Sequence, residues 1–336
     1  GCIMNWGLIG ASTIAAQHMI GAIRSCQNNT IASVLSANSE RGADFAKAHG
    51  IEHSTTDLDI LLSQPSLDVV YISTTNEKHK SQALAAIAAG KHVLCEKPLA
   101  MTTDDAIEMV QAAEKSGVIL ATNHHLRNAG SHLKIKQLIN AGQIGKIQAV
   151  RVFHAVYLPV SLQGWRINNP AAGGGVIPDI VVHDADTIGF HLEEYPISVI
   201  AEETSGQLGQ GVEDSVMSVW KMPSGAMVQS HEGFTLRHAE TGIEFHGTDG
   251  SIIARNVMTQ SPVGTVQLRT SDGVKEIGFS DHNLYARSVE LFTKSILGKG
   301  QPAATGRDGI RSLAVATAVK HAATTATRTL VNYGDH

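Results

Sequence analysis

Gly7-Leu8-Ile9-Gly10-Ala11-Ser12-Thr13-Ile14-Ala15 is the stretch on which the fold turns: an apolar run opened by Asn5-Trp6, a glycine, two hydroxyl residues, then the start of a helical pattern. A short apolar run bounded by a turn signal reads as a buried strand. Set against the G-x-G-x-x-G/A fingerprint for dinucleotides, Gly10 takes the first glycine position, Ser12 replaces the second, and Ala15 takes the third, where alanine is allowed. A helix beginning at Ser12-Thr13 offers free backbone N–H groups and its dipole to a pyrophosphate, and both hydroxyls are placed to add bonds. On this stretch alone an ordinary strand-to-helix turn would read the same way. The setting favours the fingerprint. Further strand candidates follow at Thr30–Ser36, Asp68–Ser73, His92–Glu96 and Val118–Thr122, with helical patterns between them at Ser39–Ala48, Asn76–Ala89 and Thr103–Ser116. Gly50, Gly90 and Gly117 stand just past those three helices, where a C-terminal cap wants a left-handed residue. Repeated strand–helix–strand units mean an α/β fold with a doubly wound parallel sheet.

After Asn123 the pattern changes. One helix, Ser131–Ala141, leads to a long strand candidate, Ile147–Tyr157; a Gly/Pro-rich stretch through Gly175 precedes a helix at Asp179–Gly189. From Ile197 to Phe279 come strand-like runs broken by Pro223-Ser224-Gly225, Thr248-Asp249-Gly250 and Ser271-Asp272-Gly273, which are hairpin signals. Helical stretches at Leu284–Leu297 and Arg307–Ala323 close the chain. The expected organisation is a dinucleotide-binding Rossmann domain over residues 1–123, then an α+β domain over 124–336 with a mostly antiparallel sheet and a last helix that packs back on the first domain. There is no internal repeat and no low-complexity segment.

Composition narrows the partners. The 336 residues suit about two domains, and no apolar run approaches the roughly 18 residues that cross a bilayer. A net charge of −5 without a basic cluster argues against nucleic acid and against an anionic membrane. Cys2, Cys26 and Cys95 lack CxxC spacing, so neither a disulfide framework nor a zinc site is expected, and a reducing cytoplasm fits. Gly1-Cys2-Ile3 shows no secretion pattern and reads as a remnant ahead of a start at Met4.

The end of the second strand distinguishes the two nicotinamide cofactors. NAD sites place an acid there for the ribose 2′-OH, whereas NADP sites drop the acid and supply an arginine. Here the chain reads Ser36-Ala37-Asn38-Ser39-Glu40-Arg41. No acid stands at the strand end, Ser36 can donate to a phosphate, and Arg41 follows at the start of the next helix, so NADP(H) is expected. A solvated Arg41 beside Glu40, or use of both cofactors, is the alternative.

Ligands of open parallel sheets bind beyond the carboxyl ends of the strands. Ser73-Thr74-Thr75-Asn76-Glu77-Lys78-His79 and Glu96-Lys97-Pro98 fall at such ends. Pro98 cannot donate to a sheet ladder, so the strand stops near Glu96 and Lys97 emerges beside the expected nicotinamide. A lysine there suits stabilising charge on a substrate oxygen. Further on, Asp179 and His183 stand four apart and share a helix face. An imidazole held by a carboxylate is a proton donor near neutral pH, or simply a satisfied polar pair. The spacing also suits a metal with His124-His125 as helpers, but no usable cysteine or regular third ligand follows, and no metal is expected. Trp165-Arg166 either covers the cofactor or pins a loop.

With these residues in place the chain resembles the Gfo/Idh/MocA oxidoreductases, which combine a Rossmann domain, a Glu-Lys-Pro motif and a later Asp-x-x-x-His helix. The resemblance spans roughly Asn5 to Ala323 and includes GLIGASTIA, SERGA, GKHVLCEKPLAMT, TNHHLRN, RVFHAVYLP, QGWR and GVED. It implies NADPH-dependent reduction of the 2-keto group of 1,5-anhydro-D-fructose, a small-molecule sugar, to 1,5-anhydro-D-mannitol. By motif position it implies that Ala11, Ser12, Thr13, Ile14, Ser36, Arg41, Thr74, Thr75, Asn76, Glu77, His79, Glu96, Lys97 and Asn123 line the cofactor site. It further implies that Trp165, Arg166 and Tyr285 reach the cofactor from the second domain, and that Lys97 and His183 are the catalytic pair with Asp179 orienting the imidazole. Pro178 departs from an expected apolar residue at the front of that helix, where proline is tolerated. Oxidation of a cyclic polyol with NAD, as in inositol dehydrogenases, and a catalytically silent dinucleotide sensor are the competing readings. The second-domain sheet invites pairing between copies, leaving monomer and homo-oligomer both open.

Overall fold

A computed structural model describes residues 3–336; Gly1 and Cys2, with the expectations placed on them, lie outside the described residues. Two compact units form among the described residues: those up to 124 with 285–310, and 125–284 with 311–336.

Among the described residues the first unit holds a six-stranded sheet. Its strands are β1 (Met4–Ile9), β2 (Asn29–Leu35), β3 (His53–Thr55), β4 (Val69–Ile72), β5 (His92–Cys95) and β6 (Leu120–Thr122). They pair in parallel in the order β3-β2-β1-β4-β5-β6. The order reverses between β1 and β4, which makes the crevice beyond their carboxyl ends the expected ligand position. Buried Trp6, Leu8, Ile9, Val69, Tyr71, Val93 and Leu94 explain why these runs read so clearly as strands. The connecting helices are α1 (Ile20–Ser25, behind a π turn at Ala15–Met19), α2 (Ser39–His49), α3 (Leu58–Leu62), α4 (His79–Ala88, behind a 3-10 turn at Asn76–Lys78) and α5 (Thr103–Ser116). Asn38 caps α2 by accepting from Arg41 N at 2.9 Å, and Thr102 caps α5 through Asp105 N at 3.1 Å. β3 and α3 were not expected: β3 is a three-residue edge strand with no buried apolar side chain, so it carries no periodic signal.

The second unit contains α6 (Gly130–Asn140), β7 (Ile147–Ala155), α7 (Gly164–Asn168), α8 (Val182–Leu192, behind a π turn at Ile177–Val181) and strands β8 (Ser198–Thr204), β9 (Ser215–Lys221), β10 (Met227–Gly233), β11 (Gly242–Gly247), β12 (Gly250–Arg255), β13 (Thr265–Thr270), β14 (Gly273–Glu276) and β15 (Thr329–Leu330). The sheet runs β14-β13-β12-β11-β7-β10-β9-β8-β15, with β10 parallel to β7 and the other neighbours antiparallel. All three hairpin signals fall between paired strands: β9/β10, β11/β12 and β13/β14. One face buries Val150, Val152, Val216, Trp220, Val228 and Phe245 in a core shared with Ile180, Val181, Ala185 and Ile188. The opposite face leaves Ile200, Met217, Val219 and Met227 exposed.

Among the boundaries that differ from expectation, two lie on either side of the Gly/Pro-rich stretch. β7 ends at Ala155, because Val156 and Leu158 turn their N–H groups to Gly233 O and Phe234 O beyond the regular ladder. The Asp179 helix starts two residues early, in the π turn, with Pro178 in its first turn.

After β14 the chain forms α9 (Leu284–Ile296) and α10 (Gly306–Thr325). Within the first unit Phe292 packs on Trp6, with ring centroids 5.7 Å apart, Arg307 pairs with Glu114 at 2.7 Å, and Thr305 bridges to Ala121.

Candidate active site

The glycine turn of the first unit is shaped by what cannot fit there. Gly10 has φ +119°, and a Cβ on it would lie 3.1 Å from the carbonyl carbon and Oγ of Ser73 and 3.2 Å from Thr74 N. Only glycine lets the end of β1 approach the end of β4 this closely. Ser12 Oγ accepts from Ala15 N at 3.1 Å and bonds Ser73 Oγ at 2.6 Å. The hydroxyl that replaces the second fingerprint glycine therefore ties the two strand ends together.

At the end of β2, Ser36 is buried and its Oγ accepts from Asn38 N at 3.3 Å. Gly42 packs on it, since a Cβ there would come within 2.9 Å of Ser36 Cβ. Arg41 is exposed and bends back so that Nη2 donates to Ala11 O at 3.0 Å. The guanidinium is thus held over the glycine turn. Ala37 beside it is exposed.

Beyond β4, Thr74 Oγ1 donates to Gln82 Oε1 at 2.6 Å and Thr75 Oγ1 to Glu77 Oε1 at 2.9 Å. His79 is fully buried, with its ring nitrogens 2.8 Å from Pro98 O and 3.0 Å from Thr74 O. It locks the β4 end to the Glu96-Lys97-Pro98 turn, whose Lys97–Pro98 peptide is cis. Burial is the main influence on this imidazole and lowers its pKa.

Glu96 is a brace. Its Oε2 accepts from Tyr71 OH at 2.6 Å and from Asn123 Nδ2 at 2.7 Å, while Ser288 Oγ donates to Asn123 Oδ1 at 2.8 Å. Burial first and the Glu96 charge second push the Tyr71 phenol well above its ordinary pKa, so it stays a donor. Lys97, the next residue, is half-buried at the rim of this network. Tyr285, expected from the second domain, groups with the first unit, where it is buried and stacks on His18 at 4.7 Å between centroids. Tyr71 and Ser288 were missed because Tyr71 sits in an apolar run and Ser288 in a helix 165 residues from its partner.

In the second unit the start of the Asp179 turn is held by Glu213. Its Oε1 accepts from Ile177 N at 3.0 Å, its backbone carbonyl from Val176 N at 3.1 Å, and its Oε2 from Lys320 Nζ at 3.2 Å. Gly175, at φ +113°, leaves room for this carboxylate: a Cβ would lie 2.4 Å from Glu213 Oε1. Burial raises the Glu213 pKa, and the Lys320 charge opposes that. Arg166 Nε reaches Asp179 Oδ1 at 3.4 Å with its guanidinium 4.6 Å from the Trp165 ring. Trp165, Arg166, Asp179 and His183 therefore gather in one unit. His183, half-buried on α8, meets His125 edge-on at 4.8 Å between centroids and lies 6.3 Å from His154. His125 was weighed from the sequence only as a helper to Asp179 and His183 in a metal site, and His154 was not picked at all.

Comparison with known proteins bears on the family and the fold. Residues 4–124 match the model of the oxidoreductase family with an NAD-binding Rossmann fold, and residues 132–253 match the GFO/IDH/MocA C-terminal domain. The 1,5-anhydro-D-fructose reductase of Ensifer adhaerens is 54% identical over 321 residues, covering 95% of this chain and 96% of the relative. Myo-inositol 2-dehydrogenase of Thermotoga maritima is 26% identical over 94% of this chain and 95% of its own. Among solved structures, the aldose-aldose oxidoreductase of Caulobacter crescentus shares the fold at a TM-score of 0.89 and 23% identity, over 98% of this chain and 99% of that one. The chain belongs to the Gfo/Idh/MocA oxidoreductase family.

Proposed function

We propose that this oxidoreductase reduces the 2-keto group of 1,5-anhydro-D-fructose to 1,5-anhydro-D-mannitol with NADPH. The observation that carries the reading is the 54% identity, sustained over 95% of the chain, to a reductase of that name. At twice the identity of the inositol dehydrogenase, it favours keto-sugar reduction over polyol oxidation.

The side-chain-free turn at Gly10 fits a pyrophosphate approaching the backbone, and the guanidinium of Arg41 over Ala11 O fits a 2′-phosphate where β2 ends without an acid. When bound, the nicotinamide supplies a hydride to the carbonyl carbon. In this reading Lys97 donates to the carbonyl oxygen and stabilises the charge that develops on it, and His183 hands a proton to the same oxygen. Asp179 and Arg166 hold the proton donor's surroundings, and the Tyr71–Glu96–Asn123–Ser288 network holds the backbone that presents Lys97.

The test is spectrophotometric oxidation of NADPH and NADH against a panel of keto-sugars, with Lys97→Ala and His183→Ala in parallel. Each substitution should lower kcat by roughly a hundredfold or more. Unchanged turnover in both variants, or a preference for NADH with an inositol as substrate, would reject the proposal.

A further inference from the structure

The reaction proposed above gives no task to the turn that leads into α6. His125-Leu126-Arg127-Asn128 is a single 3-10 turn, and two of its side chains end on α8. Arg127 Nε donates to Asp186 Oδ2 at 2.8 Å and Arg127 Nη2 to Asp186 Oδ1 at 2.8 Å, a two-pronged fork between a guanidinium and a carboxylate. Both residues are buried, Asp186 to 1% exposure. The same guanidinium lies 5.3 Å from the Phe190 ring centroid, and its Nη2 reaches Tyr195 OH at 3.4 Å. A buried ion pair adds little net stability over apolar residues of similar volume, so the fork is better suited to fixing a geometry than to holding the unit together.

What it fixes lies two residues earlier. Buried His125 sets its ring nearly perpendicular to that of His183, at 81° and 4.8 Å between centroids. His183 stands three residues before Asp186, so the two contacts occupy neighbouring positions on one face of α8. His125 and Arg127 share one turn, and a shift of Arg127 carries His125 with it. A planar fork has one good geometry, with both N–H groups aimed along the carboxylate, and an edge-to-face ring pair likewise prefers one arrangement. The fork sets the register of the turn along α8, and the ring contact converts that register into an orientation of the His183 imidazole.

We propose that Arg127 and Asp186 are positioning residues for the proton donor: their fork seats His125 edge-on against His183 and holds that imidazole in the orientation from which it delivers its proton. This rests on the reading of His183 as proton donor. Misplacing a reacting group by about 1 Å costs on the order of a hundredfold in rate, so the fork can act on kcat through His183 alone.

The test replaces both members at once. Arg127→Met/Asp186→Leu removes the two charges together, leaves no orphaned carboxylate and keeps an apolar side chain on Phe190, so the thermal midpoint should stay within about 5 °C of wild type. NMR on ring-labelled histidines should show cross-relaxation between the His125 and His183 ring protons in wild type, lost in the double variant. kcat should fall roughly tenfold to a hundredfold with KM for the sugar within about threefold, whereas the same pair placed in His183→Ala should cost less than about threefold more. Arg127→Lys keeps the charge but not the fork; it should lose about threefold to tenfold in kcat and decides the question if the double variant does not fold. A ring contact that survives in the double variant, wild-type kcat in either folded variant, or an undiminished loss in the His183→Ala background overturns the proposal. Absence of turnover in wild type would sink the keto-sugar reading alone, since the ring contact in wild type and variants still decides whether the fork seats His125.

Discussion

His132 on α6 and His191 on α8 form a buried pair whose response to acid can be worked out from its hydrogen bonds. His132 Nε2 lies 2.9 Å from Val257 O, which can only accept, so that nitrogen carries the proton. Its Nδ1 is then a lone pair, and it accepts from His191 Nε2 at 2.9 Å. His191 Nδ1 has no hydrogen-bond partner and stays unprotonated. Adding a proton to His132 would turn the bond into N–H against N–H between two buried rings. Burial, the largest cause, lowers the His132 pKa from 6.5 to about 4, and His191 is lowered too. The folded value lies below the unfolded one, so between them the unfolded chain binds a proton that the folded chain refuses. The stabilisation is complete above about pH 6.5 and is lost as the pH falls toward about 4. At about 1.4 kcal/mol per pH unit, that window of roughly 2.5 units amounts to about 3 kcal/mol from His132 alone. Urea unfolding followed at pH 7 and pH 4.5 should register most of this loss in the second unit. A His132→Leu/His191→Leu double variant, which removes both partners together, should flatten the slope. Equal pH slopes in the two proteins, or an NMR titration of His132 with a midpoint near 6, would refute the reasoning.

Three substitutions test the rest of the architecture. Gly10→Ala adds a Cβ 3.1 Å from Ser73 at a φ of +119°, a strain of about 1–3 kcal/mol that should appear as weaker NADPH binding in a fluorescence titration. Arg41→Ala removes the guanidinium held at Ala11 O and should raise the Kd for NADPH by roughly tenfold while leaving that for NADH within about twofold, so equal losses would detach Arg41 from the 2′-phosphate. Glu213→Gln keeps an acceptor for Ile177 N but breaks the pair with Lys320; a loss of about 1–3 kcal/mol in the second unit, read by denaturant unfolding, is expected with a drop in kcat larger than any change in KM.

The strands of the first unit were legible because each is an apolar run with a turn signal at its end, and the parallel sheet buries both faces of such runs. The three hairpins of the second unit were legible for the opposite reason: their Gly-containing turns interrupt strands that alternate, as in β9, where Val216, Ser218 and Trp220 point in and Met217 and Val219 point out. Lys97 was legible as a charge that an apolar run has no local reason to end on. What surrounds it was not, since Glu96 finds Tyr71 and Asn123 at separations of 25 and 27 residues, and nothing local marks those pairs.

The same holds more sharply at His183-Asp184. Adjacent helix residues face in different directions, and the half-buried imidazole and the wholly buried carboxylate serve different neighbours. The Asp-x-x-x-His spacing directs attention backward to Asp179, whose carboxylate is engaged with Arg166. The carboxylate one residue onward is reached through His154, which stands opposite Glu232 because β7 and β10 run parallel in a sheet that is otherwise antiparallel. That register puts His154 opposite Glu232, whereas a slip of one residue would turn Glu232 to the outer face of the sheet. The surroundings of His183, with His154 6.3 Å away between ring centroids, therefore include a strand that the helix carrying it does not encode.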